Sequence, residues 1–182
     1  MRNEIKMLIS AISPFDPLEK EQIEDAAAWI ESDVEIFRIE KPDVPPKHLV
    51  SYFVLVDDEK LLLIEHLKAG LWLPPGGHVE KNEHPAETVK REIQEELGTT
   101  AEFISHKPFF ITINKTVNID AGHTDVSLWF LLEGDSSVEF NFSEDEMSSY
   151  KWFALDEILK TDISNFNPYM HRFVKKLRKE LR

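Results

Sequence analysis

Between Pro85 and Leu97 the chain carries a helical pattern that crowds three glutamates onto one side, and this stretch constrains the fold more than any other. At 100° per residue, with Glu92 at the origin, Glu96 lies about +40° and Glu95 about −60° away. Val89, Ile93, Ala86 and Leu97 form an apolar stripe beside them, from about +60° to about +140°. Such a helix must be pinned to a core along the stripe while its neighbouring side shows the acids. Gly98 closes it as a C-terminal cap. The acids are unfavourable there on their own. Like charges at i,i+4 cost about 0.2–0.5 kcal/mol, and carboxylates near a helix C-terminus oppose the macrodipole. The plain reading is a solvated acidic face in a chain of net charge −13. The other is a hard divalent cation, since Mg²⁺ takes a few carboxylates and keeps room for water and substrate phosphate.

The pattern around this helix is strand-like. Leu49 to Val56 is rich in β-branched and aromatic residues, Asp57–Lys60 is a polar turn, and Leu61 to Ile64 returns, which reads as a hairpin. Leu71-Trp72-Leu73 is a short apolar piece stopped by Pro74-Pro75-Gly76-Gly77. Phe103 to Ile113, Val126 to Leu132 and Ser149 to Phe153 read as strands, Leu155 to Leu159 as a turn or two of helix, and Asn167-Pro168 as the start of a last helix. Strands before, between and after helices predict an α/β domain, a mixed sheet covered on both faces, over residues 49–182. Residues 1–48 read as an N-terminal helical extension packed on it. Asp16-Pro17 is a helix start, and Leu18, Ile23, Ala26, Ala27 and Ile30 recur at helical spacing. Val34, Ile36 and Arg38-Ile39 suggest a short strand, and Lys41 to Pro46 a stiff extended linker. This extension could cap the sheet, build a homodimer interface or cover a cleft.

Composition removes several function classes. The chain of 182 residues has no cysteine, which excludes a disulfide scaffold, a cysteine nucleophile and a cysteine-type zinc site. Its acidity opposes binding to the backbone of a nucleic acid. The exception is His171–Arg182, where six cations face only Glu180; they suit the negative end of a helix dipole. No apolar run approaches the ~18 residues that a spanning helix needs, and the apolar piece Met7–Ile12 is too short and too soon broken by Pro14 for a secretory signal. The expectation is a cytoplasmic protein with no membrane partner.

The spacing sharpens the reading of the acidic helix. Gly77 is followed after five residues by Glu83, after seven more by Arg91-Glu92, then Ile93, Glu95-Glu96 and Gly98. The stretch GHVEKNEHPAETVKREIQEELGT, Gly77 to Thr99, resembles the signature box of the Nudix hydrolases, which act on a nucleoside diphosphate linked to another moiety. All seven fixed positions match, and such a set arises by chance at about one start in 10⁸. The last position, usually aliphatic, is Thr99. The lead-in Trp72 to Glu80 and the order of elements from about Leu49 to Phe153 also resemble the family, whereas residues 1–48 lie outside the likeness.

The resemblance implies an α/β/α sandwich and hydrolysis of a diphosphate by water, with Mg²⁺ or Mn²⁺ as cofactor. By position, Glu92, Glu95 and Glu96 would bind metal with the Gly76 carbonyl, Glu83 would order the loop, Arg91 would orient the glutamates, and Gly77 would permit the turn. The catalytic base would be a box glutamate or a carboxylate on the later loop Phe142 to Glu146, with Glu146 favoured over Glu144. His123 and Asp125 are the candidate substrate contacts, because they open a strand expected to line the cleft. His78 and His84 read as loop-ordering residues. Family members that cleave ADP-ribose often carry a proline about sixteen positions after the box, and dinucleoside polyphosphate members a tyrosine; here Lys115-Thr116 stands there. The expected partner is therefore a small nucleoside diphosphate derivative whose leaving group stays open. The alternative is a non-catalytic Nudix-like sensor, which usually loses box glutamates. An isomerase of the same fold usually relies on a cysteine.

Overall fold

A computed structural model describes residues 1–40, 44–116, 122–143, 145 and 147–181. Among these residues five α-helices and seven strands follow one another as α1 (Arg2–Ser10), α2 (Pro17–Glu31), β1 (Lys47–Asp57), β2 (Lys60–His66), β3 (Leu71–Leu73), β4 (Gly76–His78), α3 (Pro85–Leu97), β5 (Phe110–Lys115), β6 (Thr124–Glu133), β7 (Met147–Ala154), α4 (Leu155–Lys160) and α5 (Met170–Glu180). The strands make one mixed sheet. β1 and β6 run parallel from Lys47↔Thr124 to Val56↔Glu133, and the remaining pairs are antiparallel. β1 is shared: its far end turns into β2, and its first half pairs with β4 through Val50↔His78 and Tyr52↔Gly76. The loop before α3 is thereby stitched to the middle of the sheet.

The period-2 alternation of the strands sends successive side chains to opposite layers. Phe53 and Phe130 join the core under α1, α2 and α3, while Val54 and Trp129 join the core under α4 and α5. Ile5, Ile9, Ala26 and Ile30 of the N-terminal helices share the first core with Val89, Ile93 and Leu97 of α3. The ends of the chain meet at the edge of the sheet. Arg172 of α5 donates to both carboxylate oxygens of Asp16 (2.8 and 2.5 Å), and Lys176 donates to Glu19 (2.7 Å) and to the Phe109 carbonyl (2.6 Å). Lys176 and Glu19 are buried. Part of the basic C-terminal helix is therefore a clamp on the acidic start of α2, with Arg178 also paired to Asp156 (2.6 Å).

Several expectations need correction. Val34 to Ile39 is not a strand. Ile36 and Phe37 are buried, the Ile36 carbonyl accepts from Leu49 N (2.9 Å), and only Glu40 reaches a bridge, to Val44. β5 begins at Phe110 rather than Phe103; Phe103 makes one isolated bridge to Leu132, and Pro108, which has no N–H to donate, stands between. The apolar piece too short for a signal runs from the end of α1, Met7–Ser10, to the buried Ile12 beyond it, and Ile5 and Ile9 of α1, one turn apart, are fully buried. The apolar piece Leu71–Leu73 does end before Pro74-Pro75, and the chain then pairs again as β4 over Gly76–His78.

Candidate active site

α3 starts at His84, whose Nδ1 accepts from Ala86 N (3.1 Å), with Pro85 at the first helical position. It ends at Gly98, which takes the left-handed conformation (φ 64°) that its role as cap requires. Its stripe of Ala86, Val89, Ile93 and Leu97 is buried as the periodicity predicts. The acids beside the stripe differ in their settings. Glu95 is largely exposed, its side chain at 59%. Glu96 is only 6% exposed, and its Oε2 accepts from Gly76 N (3.1 Å). Glu92 lies against Gly77.

The two glycines permit this approach in different ways. A Cβ on Gly77 would stand 2.0 Å from Glu92 Oε1, so the absent side chain is the space the carboxylate occupies. A Cβ on Gly76, at φ +144°, would stand 2.2 Å from the Ser51 carbonyl oxygen of the neighbouring strand. Gly76 thus serves the pairing of β4 with β1, and Gly77 serves the glutamate.

Arg91 ties the loop to the helix. Its guanidinium donates to both oxygens of Glu83 (3.1 and 3.1 Å), to Glu92 Oε1 (2.6 Å) and to the His78 carbonyl (3.1 Å), and lies 3.5 Å from Glu95. Its carboxylate partners raise its pKa, Glu83 first, against the opposing effect of burial. Burial pushes the Glu83 carboxyl up, but Arg91, the Glu80 N–H and the Thr88 hydroxyl together outweigh it and hold the group below its ordinary value. Tyr52, half-buried at the cleft, has its hydroxyl pKa raised first by desolvation and then by the charges of Asp125 and Glu96.

Glu92, Glu95, Gly76 and Gly77 face a cleft of about 1470 Å³. His123 and Asp125 line its wall at the start of β6, together with Arg38 and His78. Two residues next to His123 and Asp125 were missed as members of a group. His48 stands opposite Asp125 in the parallel β1–β6 register, and His78 comes up from β4. Among the described residues, His48, His78, His123 and Asp125 bring one ligand atom each to within 4.8 Å of one another, and the box glutamates are not part of that group. A parallel register between strands this far apart in the chain leaves no local trace in sequence.

Glu144 and Glu146 lie outside the described residues. The chain just before them is fastened to the helix: Ser143 N donates to the Glu96 carbonyl (2.9 Å).

Comparison with known proteins agrees with this architecture. The family model for the NUDIX domain matches residues 47–176. An uncharacterised Nudix hydrolase of Bacillus subtilis, YvcI, is 34% identical over 111 residues, covering 60% of this chain and 67% of that protein. The asymmetrical bis(5'-nucleosyl)-tetraphosphatase of Rattus norvegicus is 36% identical over 87 residues, covering 47% of this chain and 57% of its own length. In fold, a NUDIX-family hydrolase from Clostridium perfringens superposes with a TM-score of 0.57 at 22% identity, covering 73% of this chain and 97% of that one. DR0079 of Deinococcus radiodurans does so at 0.60 and 16%, covering 80% and 94%. With the matched stretch containing the whole loop–helix site, the chain belongs to the Nudix domain family.

Proposed function

We propose that the protein hydrolyses the diphosphate linkage of a nucleoside diphosphate derivative, by attack of water on phosphorus, with Mg²⁺ or Mn²⁺ as cofactor. The observation that carries this reading is the setting of Glu92 and Glu96 against two glycine backbones. Carboxylate oxygens from one helix face, next to a glycine backbone, are the hard donors such an ion takes. Glu92, Glu95 and Glu96 would hold it, with the Gly76 carbonyl. When bound, the ion neutralises charge on the diphosphate and lowers the pKa of a water.

The chain's own residues supply the rest. Arg91 keeps Glu92 oriented, and Glu83 keeps Arg91 in place. His123 and Asp125 stand where a phosphate or sugar would lie along the cleft wall, and the open cleft has room for a nucleoside and a second moiety. Glu146 takes the proton of the attacking water, with Glu144 as the other candidate, and the tether of Ser143 to Glu96 supports a base arriving from that loop. The likeness to the rat tetraphosphatase places dinucleoside polyphosphates among the substrates to test.

The experiment is a screen of nucleoside diphosphate derivatives and dinucleoside polyphosphates in ¹⁸O-water. Label is expected on a phosphate product, and Glu146→Gln is expected to lower kcat about 10²- to 10⁴-fold. Label on a sugar or alcohol carbon overturns attack on phosphorus. A loss confined to Glu144→Gln or Glu95→Gln moves the base to that residue.

A further inference from the structure

His48 is fully buried, yet among the described residues its Nε2 has no hydrogen-bond partner, and neither has the buried Oδ1 of Asp125 that faces it. Leaving buried polar atoms without partners is costly, so the pair calls for a ligand or a proton between them. Hydrogen bonding decides which atoms are offered. His48 Nδ1 lies 2.8 Å from the Pro45 carbonyl, which can only accept, so Nδ1 carries a hydrogen and Nε2 is the atom turned to Asp125. His123 Nδ1 lies 3.1 Å from Thr116 Oγ1, and that hydroxyl donates to the His123 carbonyl (3.2 Å). With its hydrogen so used, the hydroxyl oxygen accepts from Nδ1, and Nε2 of His123 is turned to Asp125.

Both Nε2 atoms point at the same oxygen, His48 at 3.3 Å and His123 at 3.4 Å from Asp125 Oδ1. Lone pairs on imidazoles that face a carboxylate are unfavourable unless a cation or a proton stands between them. The distances exceed the 2.7–3.2 Å of ordinary N–H···O bonds. They equal the edge of a tetrahedron around an ion about 2.0–2.1 Å from each ligand, which is roughly 3.3–3.4 Å. An imidazole whose Nδ1–H is held by a protein acceptor, with Nε2 aimed inward, is the arrangement of a metal-bound histidine.

We propose that His48, His123 and Asp125, joined by His78, form a second metal site that takes a borderline divalent ion such as Zn²⁺, separate from the hard-oxygen site of the box. The donor set is three imidazoles and one carboxylate, which Zn²⁺ and Co²⁺ accept and Mg²⁺ disfavours. The His78 ring centroid is 4.8 Å from that of His48, and its Nε2 lies 3.3 Å from the Arg38 guanidinium. Ligation by His78 moves Arg38 aside into the cleft that Arg38 lines. With all four ligand atoms within 4.8 Å of one another, closing the longest edge takes about 1.4 Å of side-chain movement. His78, His123 and Asp125 all line the cleft, so an ion has a way in.

The test is metal uptake by untagged protein, stripped with chelator and dialysed against limiting Zn²⁺ in excess Mg²⁺. One Zn²⁺ per chain is expected, and Co²⁺ in its place should show the intense visible bands of a tetrahedral site rather than the weak ones of an octahedral site. Asp125→Asn and His123→Gln should each weaken Zn²⁺ binding at least about 100-fold. Both are to be compared at unchanged secondary structure, and Asp125→Asn keeps the side chain's shape should His123→Gln fail to fold. The double variant Glu92→Gln/Glu96→Gln should retain Zn²⁺ and the tetrahedral Co²⁺ spectrum. Folded wild-type protein that takes up no Zn²⁺, a proton serving between the rings instead, overturns the proposal. So does uptake that is lost in the box variant and kept in Asp125→Asn.

Discussion

At the scale of single residues, Gly76 and Gly77 separate stability from activity. Gly77→Ala meets only the end of a flexible carboxylate, so the fold should hold while Glu92 is pushed off its place beside Arg91. Gly76→Ala meets the backbone of β1 at a φ that L residues avoid, and should cost about 1–3 kcal/mol, a fall in Tm of roughly 2–12 °C. Thermal melts and kcat on the two variants check this; equal loss of Tm in both would contradict it. Glu96 gives a cleaner case. In Glu96→Gln the amide oxygen can still accept from Gly76 N, so Tm should change little, while kcat should fall at least about 10²-fold, or ~2.7 kcal/mol of transition-state stabilisation. Near-normal kcat would show that this carboxylate has only a structural role. The helical wheel places Glu96 beside Glu92 but does not reveal its burial, because that depends on a backbone N–H on another strand.

At the scale of elements, local signals were legible and pairings were not. Asp16-Pro17 caps α2 and Gly98 closes α3 because each signal acts within a few residues. Val34 to Ile39 has a strand's composition, yet it forms no strand; Ile36 and Phe37 pack into the core while Val34 and Ile39 stay exposed. Met7–Ile12 has no long period of its own, yet α1 forms because Ile5 and Ile9 are covered by the core. The basic tail was legible as a helix end but not as a clamp, since Asp16 and Glu19 come from the other end of the chain. The clamp has a pH signature. The Arg172 guanidinium, with help from the Glu19 N–H, holds the Asp16 carboxyl below its ordinary value of 3.8. A carboxyl depressed in the folded state contributes stability above its unfolded pKa and loses it as pH falls through the folded one. Asp16→Asn should therefore be less stable than wild type at neutral pH, and the gap in Tm should narrow as pH falls below 3.8. A gap that stays constant through that window would show that the ion pair is not what the residue contributes.

At the scale of the whole molecule, the sheet brings two different donor sets to one cleft. The box helix offers carboxylates, and the junction of β1, β4 and β6 offers imidazoles. The first was legible because its spacing lies within one continuous stretch. His123 and Asp125 were legible as cleft residues from their place before a strand, but their partners His48 and His78 became visible only once the β1–β6 and β1–β4 registers were known. The measurement that bears most directly on the box as the working site is turnover of a nucleoside diphosphate derivative by chelator-treated enzyme, before and after Mg²⁺ is restored. Turnover should vanish in excess EDTA, return with Mg²⁺ or Mn²⁺, and fail to return in Glu92→Gln/Glu96→Gln. Full turnover in excess chelator, or full recovery in that double variant, would contradict a metal-dependent hydrolase built on these glutamates.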